Sequence, residues 1–243
     1  MKDIIRLLHS VFFWTYGLTV FLLQFFVSLP LALFQKNRSE FLHHFSQIWF
    51  KYFILPFTGI KVEVSGLKNI PKKKAVIFAS NHQSLADIPL LLVSLPGKYH
   101  FVAKKELFRI PLVGWYIGWA GHIRIDRSDS ISAIKTLDKV IASLEAGESI
   151  VIFPEGTRSR TGKLGEFKRG SLLIAFKTGV PVIPVAISGS FDFMPKWTFL
   201  INPAKVKIQV GEPISFAKKD KPTREEQITA SNKVREAILS MQG

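Results

Sequence analysis

From about Lys61 to the C-terminus, short apolar runs alternate with amphipathic segments. This alternation is typical of an α/β domain in which helices pack on a sheet. The clearest helical pattern places apolar side chains on one face between Ile131 and Leu144, and Gly147 ends it. Strands are expected at Val62–Val64, Ala75–Ala79, Tyr99–Ala103, Ile123–Ile125, Ser149–Phe153, Val182–Ile187 and Val206–Val210. Helices are expected at Ile88–Ser94, Ser130–Ala146, Ser171–Thr178 and Thr223–Met241.

These elements predict an α/β fold with a mixed, largely parallel sheet of about seven strands flanked by helices. We assign residues 61–243 to this domain and residues 1–60 to a membrane-anchoring helical segment. A length of 243 residues fits one large domain, or one domain with such an appendage. The apolar fraction of 47% is ample for a hydrophobic core.

The N-terminal segment differs sharply from the rest of the chain. Val11 to Phe34 is a run of 24 residues without a charged side chain, which is long enough to cross a hydrocarbon core of ~30 Å as a helix. A secretory signal peptide is the alternative, but the run is too long for its apolar core and no small-residue cleavage site follows. A second, weaker apolar stretch, Phe41 to Ile60, is rich in aromatic residues and fits the membrane interface.

Positive charges flank the first apolar run on both sides, with Lys2 and Arg6 before it and Lys36 and Arg38 after it. The positive-inside bias therefore gives no clean orientation for a single crossing. Since a helical hairpin that enters one leaflet keeps both flanks on the same side, we favour that arrangement over a spanning helix. We expect the protein at the cytoplasmic membrane, with its functional site on the cytosolic face and a monotopic anchor.

The chain is strongly basic, with 33 Lys and Arg against 18 Asp and Glu, a formal net charge of +15. Such a surface suits an anionic membrane face, a polyanion or an acidic partner. Nucleic acid is not expected as a partner, because zinc-ligand spacing, a basic-region zipper and an aromatic RNA-binding signature are all missing from the sequence. The absence of cysteine excludes disulfides, thiolate metal sites and a cysteine nucleophile.

The strongest candidate for chemistry is His82 followed by Asp87, with four residues between them. His82 comes directly after the strand predicted at Ala75–Ala79, and Asp87 lies in the first turn of the next predicted helix. Ser84 is expected as the N-cap of that helix. A carboxylate at this position can reach one imidazole nitrogen and leave the other for a substrate, which is a general-base arrangement. The alternative from the local pattern is a capping aspartate beside an incidental surface histidine.

A second polar cluster runs from Phe153 to Lys163 and follows the predicted strand Ser149–Phe153. Open α/β sheets bind ligands at such strand ends. Gly156 permits close backbone approach, Thr157 offers a hydroxyl, and Arg158 can grip a phosphate with its planar guanidinium. A nucleotide-binding P-loop is excluded, because its pattern needs Gly at position 157 and Ser or Thr at position 164. A solvated basic turn remains the alternative.

More basic residues border neighbouring strands: Lys104 and Lys105 follow the strand at Tyr99–Ala103, and Arg124 and Arg127 flank the short strand Ile123–Ile125. A single such pair is usually solvated surface. Four basic clusters at strand borders predict instead a positively charged edge of the sheet on the side where His82 lies.

With these residues in place, the chain resembles the glycerolipid acyltransferases, and among them the bacterial 1-acyl-sn-glycerol-3-phosphate acyltransferases. The resemblance covers roughly residues 62–214, and four blocks occur in the family's order. Arg124 departs from the family pattern, which usually has an apolar residue there, so either Arg124 or Arg127 is open as the phosphate-facing arginine. The blocks are the H-x-x-x-x-D of residues 81–87, Gly121–Arg127, the Phe-Pro-Glu-Gly-Thr-Arg-Ser of residues 153–159, and residues 180–185.

The resemblance implies transfer of a fatty acyl group from a thioester, acyl-CoA or acyl carrier protein, to the sn-2 hydroxyl of lysophosphatidate. It implies His82 as general base oriented by Asp87, and no metal or cofactor. The acceptor would be bound by Lys104, Lys105, Arg127, Glu155, Gly156, Thr157 and Arg158.

Two alternatives stay open at this point. One is a related acyltransferase for glycerol 3-phosphate or another lysolipid, which the four blocks do not distinguish. The other is a membrane-tethered lipid-binding protein without catalysis. If the chain is an enzyme, we expect direct acyl transfer without an acyl-enzyme intermediate, because no serine or cysteine is placed as a nucleophile beside a base.

Overall fold

Seven strands form one sheet in the computed structural model, which describes residues 2–72, 74–126, 130–168 and 170–242. The order across the sheet is β1-β7-β6-β2-β5-β3-β4. All pairings are parallel except that of β6 with β7, so the predicted mixed, largely parallel sheet is confirmed. The strands are β1 Ile60–Ser65, β2 Ile77–Ser80, β3 Tyr99–Lys104, β4 Ile123–Ile125, β5 Ser149–Ile152, β6 Val182–Ser188 and β7 Ala204–Val210.

Helices cover both faces of the sheet, again as predicted. The described helices are α1 Lys2–Leu33, α2 Arg38–Trp49, α3 Asp87–Ser94, α4 Val113–Trp119, α5 Ser130–Glu145, α6 Leu173–Thr178, α7 Ser190–Phe193 and α8 Arg224–Met241. Thr223 and Glu226 form a reciprocal capping box at the start of α8, which satisfies two backbone donors and fixes where that helix begins.

Each face of the sheet has its own hydrophobic core. On one face Phe78, Tyr99 and Val151 pack with Leu91 of α3, and Phe13 of α1 packs against the same cluster. On the other face Ile77, Ala79 and Ile150 pack with side chains of α5, α6 and α8. Side chains of successive strand residues therefore enter opposite cores, which is why β2, with all four residues buried, reads as a continuous apolar run.

The N-terminal helices α1 and α2 are joined by a short turn at residues 34–37 and form the predicted helical hairpin. Asn37 caps α2 by accepting a hydrogen bond from the backbone N–H of Glu40. Gln24 of α1 donates to Ser46 of α2 at 3.0 Å and to the Tyr116 hydroxyl of α4 at 2.7 Å. This buried polar network locks the hairpin onto the α/β domain.

Helix α4 is the main element that the sequence did not predict. Leu112, which precedes it, has a φ of +64°, unusual for a residue with a side chain. Gly114 lets the helix approach the backbone of Phe108, where a Cβ would stand 2.2 Å from the carbonyl oxygen. The outer side of α4 exposes Trp115 and Trp119.

Candidate active site

Four parallel strands, β2, β5, β3 and β4, end at the same edge of the sheet, and the predicted functional residues follow these ends. We call residues 81–86, after β2, the histidine loop, and residues 153–165, after β5, the arginine loop. Because β2 and β5 are neighbours in the sheet, the two loops lie side by side. The backbone N–H of Ser159 donates to the His82 carbonyl at 2.7 Å, and the Gln83 amide donates to the Gly162 carbonyl at 2.5 Å.

His82 and Asp87 lie in direct contact, as the sequence pattern predicted. The Nδ1 atom of His82 is 2.8 Å from Oδ2 of Asp87. The same oxygen accepts the backbone N–H groups of Gln83 at 2.6 Å and Ser84 at 2.8 Å. The Asp87 side chain is fully buried, so these donors hold an ionised carboxylate out of water and fix its direction. A carboxylate in this position makes Nδ1 the protonated nitrogen and leaves Nε2 as the basic one.

The imidazole ring of His82 is also fixed in its plane. It stacks on the Phe153 ring with centroids 4.1 Å apart and an angle of 19° between the planes. No described residue hydrogen bonds to Nε2, and 14% of the His82 side chain is exposed. Phe153 therefore holds one face of the ring and Asp87 holds its Nδ1, while the basic Nε2 is available to a substrate.

The expected role of Ser84 as a helix N-cap is wrong. Helix α3 begins at Asp87, and the Ser84 hydroxyl donates to the Met194 carbonyl at 2.9 Å while it accepts the Ala86 N–H at 3.2 Å. The reason is that Asp87 turns back over the loop and binds the donors of Gln83 and Ser84 itself. Ser84 is fully buried with both hydrogen-bonding roles used, so it is not set up as a nucleophile.

Glu155 of the arginine loop is buried beneath the histidine loop. Its Oε1 accepts the His82 backbone N–H at 2.8 Å, and its Oε2 accepts the Gly165 N–H at 2.8 Å. Burial raises the pKa of the Glu155 carboxyl, and these two N–H donors oppose that shift. Gly165 allows the close approach, since a Cβ there would stand 3.0 Å from Oε2. Glu155 was predicted to bind substrate, and the structure places it as a brace between the two loops.

The next three residues of the arginine loop lie at its turn. Gly156 has a φ of +74°, a left-handed conformation that glycine adopts without strain. Thr157 is exposed and accepts a hydrogen bond from the Lys196 ammonium at 2.9 Å. Arg158 is partly buried; burial lowers the pKa of its guanidinium, and the nearby Asp87 carboxylate opposes that shift. Among the described residues, no carboxylate forms an ion pair with Arg158, so its guanidinium can take an anionic ligand.

The other predicted cations are exposed, are paired with carboxylates, or lie outside the described residues. Lys104 is exposed, and its ammonium nitrogen is 3.5 Å from Oε2 of Glu106. The ammonium nitrogen of Lys105 is 2.5 Å from Oδ2 of Asp126. Arg124 is exposed on β4. Arg127, the other candidate from the same block, lies outside the described residues. Of the predicted cations that are described, Arg158 is the one on the loop that contacts the histidine loop, and its guanidinium interacts electrostatically with the Asp87 carboxylate.

An apolar crevice of about 760 Å³ opens beside the arginine loop, between α5 and α6 on the second face of the sheet. Its lining includes the apolar side chains of Val102, Ile152 and Ile174, together with Gly156 and Thr157 of the arginine loop. A volume of this size is typical of sites for drug-sized or longer organic ligands. The site therefore combines a basic nitrogen, a guanidinium and apolar space.

Sequence reasoning missed Lys196, which contacts the arginine loop from the segment between α7 and β7. A single lysine beside Trp197 carries no spacing or periodicity that predicts a site, and nothing in the sequence joins position 196 to position 157. Gln83 was also missed, although its position inside the H-x-x-x-x-D block was a usable signal. Its side chain ties the histidine loop to Gly162.

Comparisons with known proteins show the family of this chain. The acyltransferase family model matches residues 61–188, which include both loops and six of the seven strands in whole or in part, and the chain belongs to this family. Among solved structures, the crystal structure of the 1-acyl-sn-glycerophosphate acyltransferase PlsC from Thermotoga maritima matches with a TM-score of 0.80 and 31% identity. That match covers 99% of this chain and 98% of the other.

Curated relatives carry related names. A chloroplastic 1-acyl-sn-glycerol-3-phosphate acyltransferase of Brassica napus is 36% identical over 208 residues, 85% of this chain and 58% of the relative. The 1-acyl-sn-glycerol-3-phosphate acyltransferase of Borreliella burgdorferi is 36% identical over 160 residues, 66% of this chain and 64% of the relative. The matches to the plant and algal relatives span about half to three fifths of those proteins' lengths.

Proposed function

We propose that this protein transfers a fatty acyl group from a thioester donor to the sn-2 hydroxyl of lysophosphatidate, giving phosphatidate. The observation that supports this most is the His82–Asp87 pair, which leaves a basic nitrogen beside a guanidinium without an ionic partner among the described residues. A general base and an anion-binding cation at one strand edge suit an acceptor that has both a hydroxyl and a phosphate. The names of the relatives support the same acceptor.

In the proposed reaction, Nε2 of His82 takes the proton of the acceptor hydroxyl as that oxygen attacks the thioester carbonyl. The Asp87 carboxylate stabilises the imidazolium that forms. When the tetrahedral intermediate collapses, the carbon–sulfur bond breaks and the imidazolium returns the proton to the leaving thiolate. One histidine thus serves as base and then as acid, and the products are an ester and a free thiol.

Arg158 would bind the acceptor's phosphate and so hold its hydroxyl near Nε2. This predicts that Arg158→Ala raises the KM for lysophosphatidate far more than the KM for the donor. Arg158→Lys should restore only part of the affinity, because a point charge does not replace a bidentate fork. Arg224→Ala, an exposed arginine at the start of α8, is the matched control. Equal effects of Arg158→Ala on both substrates would assign Arg158 to the donor or to loop structure.

The apolar hairpin supports a position at a membrane. Within the described part of the chain, α1 is the one helix long and apolar enough to cross a bilayer. It is tied to the α/β domain between residues 10 and 24, because Ser10 accepts the Ile201 N–H, Trp14 donates to the Phe199 carbonyl, and Gln24 donates to the Tyr116 hydroxyl. A helix held in this way has no free 20-residue stretch to span the hydrocarbon. We therefore propose a monotopic anchor in one leaflet of the cytoplasmic membrane, on the cytosolic side.

The experiment that tests the proposed function is an acceptor and donor survey with the purified protein in mixed micelles. Thiol release and lipid product are measured with acyl-CoA or acyl carrier protein thioesters, and with lysophosphatidate, glycerol 3-phosphate or lysophosphatidylcholine. We expect phosphatidate from lysophosphatidate and little product from the other acceptors. A preference for another acceptor would change the acceptor that we assign. If none of the acceptors gives thiol release, the result would favour a lipid-binding protein without catalysis.

The kinetic order tests the direct mechanism separately. Both substrates must be bound together for direct transfer, so initial rates should give intersecting double-reciprocal lines. Ser84, buried with both hydrogen-bonding roles used, supports this expectation. Parallel lines, or a gain of one acyl mass when the donor is supplied alone, would show an acyl-enzyme.

A further inference from the structure

Residues 195–200, part of the segment between α7 and β7, touch the candidate site, and we call them the connector. Its Lys196 ammonium donates to the Thr157 hydroxyl at 2.9 Å and is 3.4 Å from the Arg158 carbonyl. None of the four sequence blocks includes Lys196. Lys196 therefore brings a positive charge to the arginine loop from a different part of the chain.

The connector is held firmly at both ends. On the site side, Met194 just before it accepts the Ser84 hydroxyl of the histidine loop at 2.9 Å. On the hairpin side, the Phe199 carbonyl accepts the Trp14 indole N–H at 2.7 Å, and the two rings lie 6.0 Å apart. The backbone on both sides of Lys196 is thus fixed, by Met194 to the histidine loop and by Phe199 to α1.

The basic side chains around Lys196 favour the binding of an anion. The Trp197 ring has the Lys196 ammonium 5.0 Å from its centroid and the Arg160 guanidinium 5.6 Å from it. In the described part of the chain, no carboxylate forms an ion pair with Lys196, Arg158 or Arg160. Burial and then the positive charges of Arg160 and Arg158 lower the pKa of Lys196. The Asp87 carboxylate lies near Arg158 only, so the three cations still repel one another, and a bound anion would relieve that repulsion.

The exposed side of the connector indicates where the anion comes from. Trp197 and Phe199 are each 73% exposed, next to the apolar α1. Aromatic side chains exposed beside basic ones are typical of proteins that meet a membrane at its headgroup level. On the proposed function, a lipid acceptor would reach this edge from the bilayer, whereas a thioester donor on coenzyme A or a carrier protein would come from water.

We infer that Lys196 is a substrate-binding residue that contacts the phosphate of the lysophosphatidate acceptor together with Arg158. This inference rests on the proposed function and adds a second cation, from outside the sequence blocks, to its acceptor site. A phosphate monoester carries close to two negative charges near neutral pH. Two cations from different loops match that charge better than Arg158 alone. Lys196 also holds the Thr157 turn in place, so a structural contribution must be separated in the test.

The test compares Lys196→Met and Lys196→Arg with the wild-type enzyme in mixed micelles, measuring the KM for lysophosphatidate, the KM for the donor, and kcat. Lys233→Met, an exposed lysine on α8, controls for the loss of one positive charge. We expect Lys196→Met to raise the KM for lysophosphatidate roughly tenfold, the loss of one charge-assisted contact at a partly exposed site. The KM for the donor should stay within about twofold. Lys196→Arg should restore most of the affinity, and thermal unfolding of all variants should match the wild type.

An unchanged KM for lysophosphatidate in Lys196→Met would overturn the inference. Equal rises in both KM values, or a loss that follows a fall in Tm and is not rescued by arginine, would do the same and assign Lys196 to loop structure. These outcomes differ from failure of the proposed function, in which the wild-type protein itself makes no phosphatidate.

Discussion

The Asp87→Asn variant isolates the charge of the buried carboxylate from its shape. Oδ2 of Asp87 accepts His82 Nδ1, the Gln83 N–H and the Ser84 N–H. The two backbone donors orient the asparagine amide so that its oxygen, and not its nitrogen, faces them. The imidazole therefore keeps its tautomer and position. The variant loses the negative charge beside it and places an amide N–H₂ where Oδ1 of Asp87 is buried without a hydrogen-bond partner among the described residues.

The size of the effect follows from electrostatics. Opposite unit charges about 4 Å apart attract by about 4 kcal/mol at an effective dielectric constant of about 20. A neutral hydrogen bond that remains contributes roughly 1 kcal/mol. The net loss to the transition state is then about 3 kcal/mol, a fall in kcat of about 10²-fold. The folded state loses two charge-assisted backbone contacts but no longer buries a charge, so its stability should change by less than about 2 kcal/mol.

The assay is the kcat for phosphatidate formation at saturating substrates, with thermal unfolding measured on the same samples. Asp138→Asn, an exposed residue of α5, is the matched control. The KM for lysophosphatidate should be unchanged, because Asp87 lies behind the imidazole and not at the phosphate. A folded Asp87→Asn variant with kcat within threefold of the wild type would refute the reasoning that the carboxylate stabilises an imidazolium.

Two further predictions concern buried polar groups. Glu155→Gln leaves one of the N–H groups of His82 and Gly165 facing an amide N–H₂, which should lower the free energy of unfolding by about 1–3 kcal/mol and lower kcat by loosening the histidine loop. Glu166→Gln is the exposed control. A Glu155→Gln protein with unchanged Tm and kcat would show that Glu155 does not brace the two loops. Burial first, and then the positive charges of neighbouring groups, lowers the pKa of His43 from 6.5 to about 4; the unfolded chain therefore binds this proton more tightly, and stability is lost as pH falls from about 6.5 to about 4. The contribution of His43 to this loss should be about 3 kcal/mol. His43→Gln, which can still donate to the Gly97 carbonyl, should make that part of the curve of unfolding free energy against pH less steep, while His100 and His122, whose pKa values burial also lowers, keep the rest of the slope. Parallel curves for the wild type and the variant would contradict the assignment.

Much of this fold could be predicted because its signals are local. All seven strands were expected from short apolar runs, and Gly147 marked the end of helix α5, a boundary that depends on neighbouring residues only. The order of strands across the sheet was not predictable, since it depends on packing between distant segments. Helix α4 was missed because its Gly-Trp-Tyr-Ile-Gly-Trp sequence has two glycines and no clear apolar period, and it forms by packing Tyr116 against the hairpin.

The candidate site divides in the same way. The contact between His82 and Asp87 could be predicted, because four intervening residues at a strand end bring the two side chains together. The N-cap role predicted for Ser84 was wrong, since nothing local showed that Asp87 would accept the backbone N–H groups of the turn. The Glu155 brace and the Lys196 contact join positions 73 and 39 residues apart in sequence, so only the folded chain shows them.

The most direct test of the central claim is the rate of phosphatidate formation by His82→Ala, compared with the wild type and with His44→Ala. His44 is an exposed histidine of α2, so its loss controls for a general effect of removing an imidazole. We predict that His82→Ala lowers kcat by about 10²–10⁴-fold in a protein that unfolds at the wild-type temperature, while His44→Ala keeps the wild-type rate. Near-normal turnover by folded His82→Ala would contradict the account, because no other described residue at this edge of the sheet is placed to act as the base.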